Sequence, residues 1–288
     1  MLHMNEHEFM KYLNLGCGSR YLDGWMNLDI SPVSPDVQAC DLLNGIPFPD
    51  NTFEFLYHSH VLEHIPKSKV ADILKECYRV LKPGCVIRVV VPDLECIARL
   101  YLQYLKESLQ GNEIGQHRYE WMLLELYDQT VRNRAGGEMS VYLQQDTLHD
   151  KSFILQRLGG EAKKILDSQQ SPQLRDRTWR LSHPRNWARQ ALALAGFARD
   201  KVYRLFLGQG DYQALVTGRF RQSGEIHQWM YDRYSLALAL MQSGFQSPIQ
   251  QTAVSSMFPE WGKYNLDIEP DGTAYKPDSL YMEAVKPA

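Results

Sequence analysis

The chain has 288 residues, 44% hydrophobic and 23% charged, with a formal net charge of −3. That length suits one large domain or a domain with a sizeable insertion, and the composition is that of a globular protein with a real core. The balance of charge argues against bulk attraction to nucleic acid, and no run of about 18 apolar residues marks a transmembrane helix. The start, MLHMNEHEF, is polar with two acids, the wrong pattern for a secretory signal. Cys17, Cys40, Cys77, Cys85 and Cys96 are odd in number and contain no C-x-x-C, which reads as the small buried thiols of a reduced, cytoplasmic protein.

The first informative stretch is Lys11 to Asp29, KYLNLGCGSRYLDGWMNLD. Tyr12-Leu13-Asn14-Leu15 suits a buried parallel strand, and Gly16-Cys17-Gly18 breaks it with a tight turn that lets a ligand press on bare backbone. Trp25-Met26-Asn27-Leu28 forms the next short strand, with Asp29 at its carboxyl end, the edge where open α/β sheets bind ligands. A carboxylate there accepts a hydrogen bond from each ribose hydroxyl. The dinucleotide fingerprint needs a third glycine and an acid about 20 residues on. Here Arg20 or Tyr21 stands where that glycine belongs, and only ten residues separate Gly18 from Asp29, too few for a helical crossover. S-adenosylmethionine carries no phosphate and loses nothing by the missing helix terminus, so the spacing favours it over a dinucleotide.

After a loop at Ser31 to Pro35, Val37 to Asp41 reads as a third short strand ending in a second acid. Asp41 can accept from an adenine amine while the Leu42 amide donates to a ring nitrogen, or it can merely cap the next turn. Paired with Asp29 at successive strand ends, ligand binding is the better reading. Ile46 to Asn51 is turn material, and Phe53 to His58 is a fourth strand leading into Ser59-His60-Val61-Leu62-Glu63-His64. Lys67 to Leu81 has helical spacing at Val70, Ile73, Leu74, Cys77, Tyr78 and Leu81, and Lys82-Pro83-Gly84 stops it. Val86 to Val91 is a β-branched run expected to be buried on both faces, closed by Pro92-Asp93. Five strands with turn chemistry at their carboxyl ends make a doubly wound, Rossmann-like α/β sheet.

LNLGCG, NLDI, DLLNGIPFPDNTFEFLYHSHVLEHI, ECYRVLKPG and VIRVVVPD, in that order over about ninety residues, resemble the class I S-adenosylmethionine-dependent methyltransferases, closest to the set called type 11. The sequence departs from that pattern in lacking helices between the first four strands. Similar members, often encoded with polysaccharide-building enzymes, share the trimmed front. The resemblance implies that Asn14, Gly16, Cys17 and Gly18 line the methionine end of the donor through backbone contacts. It places Asp29 on the ribose, Asp41 and Leu42 on the adenine, and Ser59 and His60 at the sulfonium.

The family core expects a helix soon after the fifth strand and an antiparallel pair to finish. Here those pieces come late, as a helix from Tyr234 to Met241 and strands near Thr252–Ser256 and Leu280–Val285. The expected organisation is therefore a first core part at 1–96, a mainly helical substrate-covering insertion at 97–222, and a closing core part at 223–288. Within the insertion, Trp187, Ala191, Leu194, Ala195, Ala198, Val202, Leu205 and Phe206 share one helical stripe, flanked by Arg185, Arg189, Arg199 and Arg204. Arg175, Arg177 and Arg180 precede it. Such a stripe at 184–208 is expected to pack on its own domain. Weak contact with an anionic membrane, or with a phosphate-bearing acceptor, remains open.

Methyl transfer to a hydroxyl needs an aligned nucleophile and a proton acceptor. His60 is a candidate base or a cofactor-orienting residue, and His64 reads as a cap of the following helix. Asp93 is a base or a turn former. His227, in a His-x-Trp-Met-Tyr segment comparable to one in similar proteins, is a second base candidate or a hinge residue. Trp229 and Tyr231 offer rings to stack on a sugar, and Asp232 or Ser235 a helix cap. A metal set of His58, His60 and His64 is set aside, because strand and turn need not converge. The expectation is a methyltransferase acting on an oxygen of a sugar or other polar small molecule, with N- or C-methylation and a non-catalytic scaffold as alternatives.

Overall fold

The computed structural model describes residues 11–145, 149–160 and 184–288, the side chains of 184–198 excepted. Seven strands form one sheet: β1 (Tyr12–Leu15), β2 (Met26–Asp29), β3 (Gln38–Ala39), β4 (Phe53–Ser59), β5 (Leu81–Pro92), β6 (Gln246–Gln251) and β7 (Ser279–Val285). Their order is β3-β2-β1-β4-β5-β7-β6. The first five run parallel, and β7 is antiparallel to both β5 and β6. The strand order reverses between β1 and β4, so the crevice at their carboxyl ends is the place for a ligand.

Helix α1 (Lys67–Val80) buries Val70, Ile73, Leu74, Cys77 and Val80, the stripe expected from its spacing. Together with α7 (Arg233–Gln242) it covers one face of the sheet, where Leu13, Leu15, Leu28, Leu56, Val89 and Met282 meet Leu236 and Leu240. The opposite face carries Phe55, Tyr57, Val90 and Tyr281, and the connection between β6 and β7 lies over it through Phe258, Trp261, Leu266 and Ile268. This aromatic layer, with Phe55 stacked on Phe258 at 4.1 Å between ring centres, occupies the place of the helices that the front of the chain omits. Both faces are buried, which explains the lack of alternation in β5.

Two expectations shift. The helix ends at Val80 and β5 starts at once, with Lys82-Pro83-Gly84 bulging between the pairs Phe53–Leu81 and Phe55–Val86 and Gly84 at φ 77°. The sixth strand lies at Gln246–Gln251, not Thr252–Ser256. It is an edge strand with a break near Pro248, largely polar, and so gives no hydrophobic signal. The residues after it turn inward instead, because the carbonyls of Thr252 and Ser255 serve the buried Arg88.

Between β5 and α7 the described elements are all helices: α2 (Leu94–Leu109), α3 (Glu113–Val131), α4 (Gly137–Leu143), α5 (Lys151–Leu158) and α6 (Pro184–Arg221). The first four share a core of Ile97, Tyr104, Trp121, Met122, Tyr142, Phe153 and Ile154. Inside it Glu125 accepts from Trp121 and pairs with Arg157 at 2.6 Å. Helix α6 breaks at Gly208 (φ 72°). On it Val202 is 50% exposed and Leu205 and Phe206 are 81% exposed, so this part of the apolar stripe does not pack on its own domain as expected. Arg175, Arg177 and Arg180 lie outside the described residues, as do the side chains of Arg185, Arg189 and Trp187. No helix among the described residues is long and apolar enough to cross a membrane.

Candidate active site

The turn after β1 is fastened from β2. The amides of Gly16 and Cys17 donate to the Leu28 carbonyl at 2.8 and 3.2 Å, and the Gly18 amide donates to Asp29 Oδ2 at 2.9 Å. Asp29 Oδ1 accepts from the Ser31 amide at 2.8 Å. Each carboxylate oxygen keeps a lone pair for a further donor. Gly16 and Gly18 both have positive φ, 61° and 53°, but they serve different ends. A Cβ on Gly16 would strike the side chain of Val61, so this glycine lets the turn lie against the residue following His60. A Cβ on Gly18 would meet open space, which is the bare backbone a ligand needs. Burial and the nearby Asp29 push the Cys17 thiol up to about 11, leaving it neutral.

Asn14 braces the turn with its side chain. Its backbone sits between β2 and β4, and its amide donates to the Arg20 carbonyl and to Asn27 Oδ1. Asn27 in turn ties the Leu22 and Trp25 carbonyls, so the pair braces the loop from behind. Asp41 ends no strand, since β3 stops at Ala39. It caps the 3-10 turn Leu42–Asn44, accepting from the Leu43 amide at 3.0 Å and the Asn44 side chain at 2.9 Å. The cap holds the carboxylate at the strand end, and Leu42 packs partly against the main core.

Past β4, His60 takes a left-handed backbone (φ 54°) while its amide donates to the Val90 carbonyl at 2.9 Å. For a residue other than glycine this conformation is strained, and strain of this kind gathers at functional sites. Its ring bridges two groups: Nε2 lies 2.9 Å from Ser279 Oγ and Nδ1 lies 3.1 Å from Glu63 Oε1. His64 does not cap α1, whose first turn has no side-chain cap. Its Nδ1–H donates to the Ile226 carbonyl at 3.1 Å, which leaves Nε2 with its lone pair. The His227 ring meets His64 edge-on at 4.9 Å, and its amide donates to the Gln129 carbonyl of α3. The next amides, of Gln228 and Trp229, donate to the Glu63 carbonyl. The insertion thus reaches the sheet through the strand-like segment at 226–229.

These groups wall a cavity of about 410 Å³ beyond the ends of β4 and β5, roofed by α3 and α4. Its lining joins polar side chains, His60, His64, Arg132, Glu225, His227 and Asp278 among them, to an apolar patch of Met139, Leu143 and Leu158. Arg132 is held there by Asp128 at 3.1 Å and Glu225 at 3.3 Å. Gly137 stands where a Cβ would run into the Asp128 carboxylate, which keeps α4 close to α3. Burial pushes His227 down to about 3, against the pull of Glu63, so its ring is neutral. Burial also lowers the neighbouring His58 in β4 to about 4. For Glu63, burial acts upward, but the contact with His60 and the nearby His60 and His64 rings win and hold it at about 2.

Three predicted site residues are not gathered there. Asp93 is the N-cap of α2, accepting from the Cys96 amide at 3.0 Å, and its backbone bridges Tyr231. Trp229 is 40% exposed with Lys67 over its ring at 3.5 Å. Tyr231 is buried in the core between sheet and α7. Neither ring lines the cavity. Asp232 and Ser235 form a reciprocal capping box on α7. The residue that sequence reading missed is Glu63: completely buried, it stands at the centre of the three histidines. Its signal was the i, i+3 spacing from His60.

The methyltransferase-domain family model matches residues 13–89, the stretch from β1 into β5 that builds the glycine turn, Asp29, Asp41 and His60. This part of the chain is a class I methyltransferase domain. The chain is 38% identical over 71 residues to the ubiquinone/menaquinone biosynthesis C-methyltransferase UbiE of Desulfotalea psychrophila, a match covering 24% of this chain and 28% of that protein. Among solved structures, the complex of the Haloferax volcanii Trm112 methyltransferase activator with a methyltransferase aligns over 96% of this chain and 82% of its own, at 11% identity and a TM-score of 0.37. An S-adenosylmethionine-dependent methyltransferase from Thermotoga maritima aligns over 96% and 81%, at 10% identity and a TM-score of 0.36. The donor of the class I methyltransferase domain is S-adenosylmethionine. The open backbone at Gly18, the Asp29 carboxylate at the end of β2 and the Asp41 carboxylate two residues past β3 fit it.

Proposed function

We propose that this protein transfers a methyl group from S-adenosylmethionine to an oxygen of a small polar acceptor, a sugar or a similar polyol, held in the cavity beneath the helical insertion. The observation that carries this reading is the cluster of histidines and charged side chains in that cavity, with His60 next in sequence to Val61, which lies against the glycine turn. Bound S-adenosylmethionine supplies an electrophilic methyl group: the acceptor oxygen bonds to the methyl carbon as the carbon–sulfur bond breaks and its electron pair stays on sulfur. His60 is the base. Its Nε2, 2.9 Å from Ser279 Oγ, takes the acceptor's proton, and the ionised Glu63 beside Nδ1 stabilises the imidazolium that forms. Residues 97–222 act as the acceptor-covering part, and α3 and α4 exclude water from the transfer. The related C-methyltransferase favours a carbon acceptor as the second reading; the histidines and carboxylates in the wall favour oxygen.

The test has two arms. Calorimetry should give micromolar binding of S-adenosylmethionine and none of a nicotinamide dinucleotide. Label from the methyl donor should then appear on a nucleotide sugar or free glycoside, and methylation of a quinone precursor in its place would select the carbon reading. A chain that binds no methyl donor is a scaffold.

A further inference from the structure

The carboxylate of Glu63 is completely buried, and no N–H or O–H is directed along a hydrogen bond to either of its oxygens. The nearest group, His60 Nδ1, makes an ion-pair contact at 3.1 Å with Oε1 only. Nδ1 of His227 is also buried without a hydrogen-bond partner. A carboxylate removed from water and left in this state is costly unless a cation completes it. The same three side chains converge: one oxygen of Glu63 and one ring nitrogen each of His64 and His227 lie within 4.8 Å of one another.

We propose that Glu63, His64 and His227 form a binding site for a divalent transition-metal cation in the wall of the acceptor cavity. Two imidazoles and one carboxylate are the donor set of open metal sites, in which three protein ligands leave a position for water or substrate. The chemistry suits zinc, manganese, iron or cobalt rather than calcium or magnesium, which prefer all-oxygen shells. The supporting bonds are those such a site uses. His64 donates its Nδ1–H to the Ile226 carbonyl, which aims Nε2 at the centre. His60 buttresses Glu63 from the other side. His227 is set by its own amide on Gln129. The metal set of His58, His60 and His64 considered from sequence is replaced by one that draws a ligand from about 160 residues further along the chain. The open position faces the cavity, since His64 and His227 both line it. A hydroxyl bound there becomes more acidic, which deepens the reading of an oxygen acceptor and rests on it. A vicinal diol, able to offer two oxygens to one ion, is the acceptor class it fits.

The experiment uses the full chain, stripped with a chelator and titrated with Co2+, then with Zn2+, Mn2+ and Mg2+. We expect one Co2+ per chain with visible ligand-field bands, displaced by Zn2+. Glu63→Gln and His227→Gln should each weaken binding by at least about tenfold, the loss that even a supporting residue causes. His117→Gln is the control, because His117 stacks on His149 at 4.0 Å in a separate histidine pair and should leave the titration unchanged. Binding of S-adenosylmethionine, measured on each variant, reports folding and the donor site separately. A wild type that binds the methyl donor but none of the four cations overturns the metal site and leaves methyl transfer standing. Cation binding that survives both substitutions, or is lost in His117→Gln alone, also overturns it. Failure to bind the methyl donor, with the metal bound, would sink the transferase reading instead.

Discussion

Two clusters of charge are buried against this sheet, and they are built in opposite ways. Behind it, Arg88 of β5 is completely inaccessible and fully answered. It bonds Asp267 and Glu283 at 2.7 Å each and donates to the carbonyls of Ser255 and Thr252. Its acids are answered too: Asp267 accepts from Tyr57 and Trp261, and Glu283 from Ser256 and the Met257 amide. Beyond the strand ends, Glu63 is equally buried but has one ion-pair contact and no directed donor. Burial is the same in both; partnership is not. A saturated cluster has nothing left to offer a ligand and fastens the β6–β7 connection over the aromatic face. An unsaturated one keeps its free lone pairs, and the histidines around it line a cavity.

The comparison can be broken from either side. The largest effect is expected at Arg88. Arg88→Ala leaves Asp267 and Glu283 as uncompensated buried charges and should cost about 3–5 kcal/mol in urea unfolding. A loss below about 1 kcal/mol would mean that the cluster is not the clamp its bonding suggests. Next comes Asp29→Ala, which removes the carboxylate that holds the Gly18 amide and that the proposed donor site sets against a ribose. Charge-assisted bonds of this kind are worth about 1.5–3 kcal/mol, so donor affinity by calorimetry should fall on the order of 10–100-fold. Unchanged affinity would move the donor away from the glycine turn.

A third, smaller effect concerns acid. Glu76 accepts from Nε and Nη2 of the Arg79 guanidinium and from the Ile46 amide, and Arg79 grips the Ile46 and Phe48 carbonyls, so the pair pins the loop before β4 to α1. The hydrogen bond to Arg79 dominates and lowers Glu76 to about 2 from the usual 4.5. Because the folded value lies below the unfolded one, this stabilisation is complete above pH 4.5 and is lost as pH falls through about 2. Solvent reaches the pair, so only about 1 kcal/mol is expected. Acid titration of unfolding stability should flatten in that window for Glu76→Gln, and an unchanged slope would assign the acid sensitivity elsewhere. The smallest effect on stability should be that of Glu63→Gln, within about 1 kcal/mol, since it removes the burial cost and the His60 contact together. A loss as large as that at Arg88 would show Glu63 to be structural and erase the contrast.

Much of this was legible in the chain itself. The period of α1, the apolar runs of β1, β4 and β5, the glycine turn and the acid after β2 are local patterns, and each survives in the fold because neighbouring residues decide it. The missing front helices could be read from spacing alone, as could the late arrival of the closing helix and β7. The aromatic layer that replaces those helices could not, since Phe258 and Trp261 gain meaning only where a connection 200 residues downstream of β4 folds across Phe55 and Tyr57. The same holds for the edge strand β6, polar and broken near Pro248.

The sequence by itself determined the methyltransferase domain, because turn geometry and strand burial are set by residues a few positions apart. Only the tertiary structure decided which polar residues share a site. It withdrew Asp93, Trp229 and Tyr231 to a helix cap, the surface and the core, and it brought His227 to Glu63. The physical reason is that hydrogen-bond saturation is a property of three-dimensional neighbours: Arg88 and Glu63 are both single charges in apolar surroundings when read along the chain, and the fold answers one of them and leaves the other open.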